Sequence, residues 1–257
     1  MAPRTLGIDI GGTGIKGAVI ASNGTLESHR QKTRTPYPLP PEGPGGLLEV
    51  VGEFTQRFEA VDRVAVGFPG VVRRGTIMVA PHFESPDGLG GRVQHALAAQ
   101  WRGYPLEARL TDCLGCPVKV VNDAELQGWS LIRGRGLEVV VTLGTGVGCA
   151  VYDEGRATPH LQFGSMPSGE EVDFDAYLGN RAFHKVGYDE WNRRLFLGVR
   201  ALHDLVHFDH LYLTGGDARQ VHRDVLGTLL AKVTVVTGGG AIAGGHYLFE
   251  PFVTNEG

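Results

Sequence analysis

Apolar positions along the chain cluster in short alternating or continuous runs separated by glycine turns, and this pattern sets out the elements. Leu6 to Ile10 and Ile15 to Ala21 read as two strands around the turn GGTG, with a third expected after Asn23-Gly24, the strongest short hairpin signal. The stretch 47–58 has apolar residues at helical spacing, 63–72 is a buried strand running into a Gly-x-Pro-Gly turn, and 76–91 is a strand followed by a polar loop. Residues 92–101 read as a helix, and 117–132 as a strand with a polar tip followed by a helix starting at Asp123 or Ala124. Two further strands flank the turn after Leu143, and two helical segments lie near 175–186 and 188–207. Residues 210–221 read as strand, glycine turn and helix, and 232–249 as strand, glycine run and last helix.

Residues 12–17, GTGIKG, match the G-x-G-x-x-G pattern of dinucleotide sites. That chemistry needs a helix directly after the glycines, so that its N-terminus meets the pyrophosphate. Here a small, β-branched strand follows instead, and the dinucleotide reading fails on context. Asp9 stands out, because a carboxylate inside an apolar strand costs free energy unless it is paired or faces a cation. It reads either as a cap for the turn or as a group aimed at a metal–phosphate unit, with Gly11, Gly12 and Thr13 opening backbone amides to phosphate oxygens. The second reading gains weight because the design recurs. Residues 138–152 again give strand, Gly144-Thr145-Gly146 turn and strand, with Gly155 where a hairpin turn falls. Two such hairpins suggest a duplicated fold holding phosphate, divided here as 1–116 and 117–257.

Composition narrows the classes. The chain has 257 residues, 42% hydrophobic and 20% charged, a globular balance for one large or two modest domains. A net charge of -4 gives no nucleic-acid footprint. No apolar run reaches about 18 residues, so no membrane helix is expected, and the start does not read as a signal peptide. Three cysteines are too few for a disulfide scaffold and point to a reducing cytoplasm, and Cys113 and Cys116 read as two thiols in a turn.

Taken in order, LGIDIGGTGIKGAVI, VGFPGVV, APH, VVNDAELQG, VTLGTGVG, LYLTGGDA and GGGAIAGG resemble the sugar-kinase/actin/heat-shock-chaperone ATPase fold. Within it they resemble the ROK family (repressor, open reading frame, kinase) and its bacterial polyphosphate glucokinase branch. The resemblance covers nearly the whole chain. It implies an α/β, duplicated ribonuclease H-like architecture of two lobes with a cleft between them, the last helix packing back on the N-terminal lobe. It also implies a homodimer, a small-molecule sugar as substrate, and ATP or polyphosphate as phosphoryl donor with Mg²⁺. By the same resemblance Asp123 is the general base that takes the proton of a sugar hydroxyl, a role that a carboxylate at a strand tip can fill. On the residues alone, Asp123 reads equally as the N-cap of its helix. Asn122 would meet a sugar hydroxyl or serve as a second capping candidate. Asp9 would lie near Mg²⁺. Gly11, Gly12, Thr13, Lys16, Gly144, Thr145, Gly146, Gly215 and Gly216 would form the phosphate and nucleotide side, with Gly238–Gly240 as a further close-approach turn.

The pattern breaks in PHLQFGSMP (159–167). Gln162 stands where the family carries a sugar-gripping Glu, and Ser165 where it carries a His. Gln brings no charge and Ser is shorter, so each gives up a strong polar contact. His82 sits where Asn is common and is a further candidate sugar contact. The family's Cys-rich zinc motif is absent, so no structural zinc is expected. No helix-turn-helix precedes Leu6, which argues against the repressor branch. The leading reading is a glucokinase-like enzyme. The alternative is a non-catalytic or altered-specificity sugar-binding protein, and a filament-forming actin relative is disfavoured by the chain's length.

Overall fold

A computed structural model describes residues 3–35, 43–59, 61–88, 91–238 and 242–250. The first apolar run forms β1 (Thr5–Ile10) and turns back at once as β2 (Gly14–Ile20), each with nearly every side chain buried. The third strand, β3 (Gln31–Arg34), starts later than Asn23-Gly24 suggested. The backbone of Val19 instead finds partners in the intervening loop, its N–H donating to Ser28 Oγ (2.9 Å) and its carbonyl accepting from Glu27 N (2.8 Å). A helix, α1 (Pro44–Thr55), then leads to β4 (Arg63–Phe68), which lies parallel to β1. The short hairpin β5 (Val71–Arg73) and β6 (Thr76–Val79) follows, then α2 (His95–Trp101), α3 (Leu106–Leu114), β7 (Val118–Asn122) and α4 (Asp123–Gly128). Helix α3, not anticipated from the sequence, ends at Gly115 in the left-handed conformation (φ +66°). The pair Cys113 and Cys116 therefore straddles a helix terminus as two free thiols.

The sheet order is β3-β2-β1-β4-β7, with Leu6, Ile8, Ile10, Val64, Val66 and Phe68 at the centre of the core. Strand β7 pairs in parallel with β4, so the division expected at 116/117 is corrected. Contact density separates residues up to Ser130, together with 242–250, from residues 131–238. Parallel pairing is set by contacts distant in sequence, which local pattern does not reveal.

The second unit repeats the plan. It contains β8 (Leu137–Leu143), β9 (Val147–Asp153), β10 (Arg156–Ala157), α5 (Phe174–Leu178), α6 (Asn180–Val186), α7 (Tyr188–Val206), β11 (His210–Thr214) and β12 (Val233–Val235). Its order, β10-β9-β8-β11-β12, matches the first sheet strand for strand, an antiparallel trio followed by parallel additions. Val139, Val141, Leu143, Trp191 and Leu195 centre its core, and the Trp191 indole donates to Leu178 O (2.8 Å). The duplicated, actin-like α/β fold is thus present in both halves.

Two expected helices are shorter. After Gly215-Gly216 there is a 3-10 turn, Ala218–Gln220, followed by a 3-10 stretch, Arg223–Lys232, broken at Gly227, and Asp217 N donates back to Leu143 O. The last helix is a 3-10 segment, Ala243–Leu248, packed on β1, β4 and α4 of the first unit where Gly244 and Gly245 leave no room for a Cβ. Arg63 pins its end through Glu250 (2.6 Å). Gly239 and Gly240 of the glycine run lie outside the described residues. Among those residues no helix is long and apolar enough to cross a membrane.

Candidate active site

Strands β1, β4 and β7 run side by side in parallel, with Asp9 opposite Gly67 and Phe68 opposite Asn122. Their carboxyl ends therefore bring Asp9, Gly67 and Asn122-Asp123 to one edge of the first unit. That is the edge at which α/β sheets bind ligands. Gly67 has a packing reason to be glycine, since a Cβ there would lie 3.1 Å from Asp123 Cα and 2.9 Å from a Leu126 methyl.

Asn122, not Asp123, caps α4. Its Oδ1 accepts from Ala124 N (2.9 Å) and Glu125 N (3.3 Å), and its Nδ2 donates to Gly70 O (2.9 Å). It is 3% exposed, so the side chain expected to meet a sugar hydroxyl is committed to fixing the strand–helix junction. The cap being taken, Asp123 sits at the first helical position with Oδ1 accepting from Ala124 N (2.9 Å). A helix N-terminus favours a charged carboxylate. Burial outweighs it, helped by the negative charge of Asp9, and the Asp123 carboxyl is pushed up to about 7. Asp9 is also raised by burial, and Lys16, 3.7 Å away across the β1–β2 pair, together with Arg30 holds that rise back. Glu125, two residues on, is raised to about 7 by burial despite a hydrogen bond from Trp129, and sequence reasoning did not single it out.

The first glycine turn is closed by Gly11 N donating to Gly14 O (2.9 Å) and by Thr35 Oγ1 donating to Gly11 O (2.6 Å), with Thr13 exposed at its tip. Lys16 lies on β2 beside the turn, more than half exposed. The His82 imidazole lies directly on Gly12, where any Cβ would overlap the ring. Burial lowers the His82 pKa to about 4, so the ring is neutral at ordinary pH. Among the described residues no group of three or more His, Cys, Asp and Glu side chains could cage a metal. A desolvated Asp9 carboxylate beside a glycine turn does fit Mg²⁺, which binds through one or two carboxylates, substrate phosphates and water.

In the second unit the turn Gly144–Gly146 is closed by Gly144 N donating to Gly146 O (3.1 Å) and anchored by Asn180 N donating to Gly144 O (2.7 Å). Asn180 Nδ2 reaches both oxygens of buried Asp217 (3.1 Å each), and Asp217 N donates to Leu143 O (3.0 Å). Gly215, at φ +97°, packs on Leu143, while a Cβ at Gly216 would meet open space. Asp175 ties two stretches together. Its Oδ1 accepts from Val147 N (2.6 Å) just after the glycine turn, and its carboxylate packs on Gly164, within the 3-10 turn that carries Ser165. Burial raises its pKa. Gln162 is half-buried and held by His160 (2.9 Å), while Ser165 is exposed. Asp175, Asn180 and Asp217 went unassigned in the sequence. Asp217 stood within the quoted TGGDA, but Asp175 and Asn180 lay in a segment that read only as helix.

The model of the ROK family matches residues 5–160. The polyphosphate glucokinase of Mycobacterium leprae (strain TN) is 27% identical over 230 residues, 86% of this chain and 65% of that protein, so the chain spans just under two thirds of this relative. The crystal structure of an inorganic polyphosphate/ATP-glucomannokinase from Arthrobacter sp. strain KM matches with a TM-score of 0.78 at 25% identity, over 96% of this chain and 98% of that one. A ROK family glucokinase from Streptomyces griseus, solved with glucose and AMPPNP, matches with a TM-score of 0.75 at 20% identity, over 95% and 98% of the two chains.

Proposed function

The chain belongs to the ROK family, and from that premise we propose that it is a sugar kinase moving a phosphoryl group from ATP or polyphosphate to a hexose hydroxyl, with Asp123 as general base. The observation that carries this reading is the placement of Asp123, at the carboxyl end of β7 on the edge that also carries Asp9 and relieved of capping by Asn122, where burial and Asp9 push its carboxyl up to about 7. A base serves best when its pKa lies near the working pH. The relatives support the class of reaction, since they are named as polyphosphate and ATP-using sugar kinases.

Asn122 fixes the junction from which Asp123 projects, and the fixed cap keeps the base from being consumed as one itself. Gly11 N and Gly144 N close their own turns, so the amides of Gly12–Thr13 and Thr145–Gly146 would be the ones to meet phosphate oxygens, in a transfer that rests on positioning and charge neutralisation. Asp9 would hold Mg²⁺, which when bound with the donor neutralises phosphate charge. Asp175 ties the start of β9 to the Gln162–Ser165 stretch through Val147 N and Gly164, and so would fix the course of that stretch. Glucose is the default acceptor, and a homodimer in the cytoplasm the default setting.

A second reading, a sugar-binding protein without catalysis, rests on Gln162 and Ser165. A coupled assay of glucose, mannose, other hexoses and N-acetylhexosamines against ATP and polyphosphate separates the two. Turnover with any pair supports the kinase, and sugar binding without turnover supports the second reading.

A further inference from the structure

His160 and Gln162 form a pair whose chemistry fixes which way an amide points. The imidazole Nε2 lies 2.9 Å from Gln162 Oε1, and the other ring nitrogen, Nδ1, is buried with no hydrogen-bond partner among the described residues. Two arrangements could make this contact. In one, Nε2 carries the proton and donates to Gln162 Oε1, leaving Nδ1 as a bare lone pair. In the other, Nδ1 carries the proton and Nε2 accepts from a reversed Gln162 amide. The second buries an unpaired N–H, the rarer and costlier defect in folded proteins. Burial also keeps the ring neutral, which excludes a doubly protonated imidazole at ordinary pH. The first arrangement therefore holds. It turns the Gln162 oxygen toward the His160 ring, occupying one of its two lone pairs, and directs the amide NH₂ of a half-buried side chain away from the ring as a donor.

We propose that His160 orients Gln162 so that its amide NH₂ is presented as a hydrogen-bond donor, and that position 162 thereby favours a substrate atom that accepts a hydrogen bond. This rests on the sugar-kinase reading above. A carboxylate at 162 would select the reverse, a hydroxyl that donates. The favoured acceptor is thus a sugar or cyclitol whose group at this subsite offers a lone pair, such as a hydroxyl with its proton directed elsewhere or a carbonyl oxygen.

Deoxy and deoxyfluoro sugars separate the two selections, because fluorine accepts weakly and cannot donate. At one ring position the wild-type protein should bind the fluoro analogue within about tenfold of the parent sugar and more tightly than the deoxy analogue. Gln162→Glu should invert the order at that same position, and His160→Phe, which frees the amide to turn, should shrink the fluoro-to-deoxy preference. Calorimetric affinities read this without turnover. Long-range ¹H–¹⁵N spectra of the sugar-free wild-type protein should show His160 protonated on Nε2. A ring protonated on Nδ1, or a fluoro analogue bound no better than the deoxy analogue at every position, overturns the proposal. Absence of turnover with every sugar overturns the kinase reading instead, while the tautomer spectrum still decides the orientation of the pair.

Discussion

If the Asp123 carboxyl is held at about 7 in the folded protein against an ordinary 3.8, the fold itself works against its ionisation, and removing the charge should stabilise the protein. Below about pH 4 both folded and unfolded chains carry the protonated group, and the penalty vanishes. As pH rises the unfolded chain ionises first while the folded chain keeps its proton. Stability is therefore lost between 3.8 and about 7 and stays level above. At about 1.4 kcal/mol per pH unit the ceiling is about 4 kcal/mol. Part of this returns because deleting the charge also relieves Asp9, and part is lost because Asp123 keeps some contact with solvent. A gain of about 1–3 kcal/mol for Asp123→Asn at about pH 8 is the expected result, shrinking toward zero at about pH 4. Thermal or urea melts of both proteins across that range measure it. The same variant should lose about 10²- to 10⁴-fold in turnover, and wild-type turnover should rise with pH through about 7 as the base ionises. A variant equally stabilised at both ends of the range, or destabilised at the alkaline end, refutes the burial argument. Near-normal turnover removes Asp123 from the mechanism.

Asp9→Ala should be nearly inactive with either donor, and wild-type activity should stop in chelator and return with Mg²⁺; activity that survives chelation would sink the assignment. Gly12→Ala should cost about 1–3 kcal/mol, because the new methyl overlaps the His82 ring. Adding His82→Ala should recover part of that loss in melting experiments, and simple additivity would disprove the contact. Restoring the family pair with Gln162→Glu and Ser165→His should lower KM for glucose more than it changes kcat, since ground-state contacts are being rebuilt. A micromolar wild-type KM for glucose would show instead that the two replacements are tolerated.

The parts of this fold that local pattern controls were legible in the sequence. β1, β2, β8 and β9 alternate around glycine turns, and the duplication showed in those turns. The parts set by distant contacts were not. β7 reads identically whether it opens a second lobe or completes the first sheet, and only its pairing with β4 decides. The Asn122-Asp123 dipeptide offered two capping candidates, and what separates them is the bond from Asn122 Nδ2 to Gly70 O, between residues 52 apart. Asp175 carried no local signal, because its role comes from Val147, 28 residues earlier, and from Gly164.

The case for chemistry at the first unit's edge rests on what the fold leaves uncompensated. A stabilising carboxylate normally gains a cation or several amide donors and has its pKa lowered. Asp9 and Asp123 both move the other way, and in each the largest cause is burial. Lys16 offsets Asp9 from a weak distance of 3.7 Å and more than half exposed, while no cation among the described residues pairs with Asp123. Capping does not require this arrangement, since Asn122 already does it without charge. Buried charge without compensation is a defect in a purely structural element and an asset where a proton must be taken near neutral pH. The same edge holds a glycine turn packed against a neutral imidazole, so the carboxylates of Asp9 and Asp123 and that turn share one end of the first sheet.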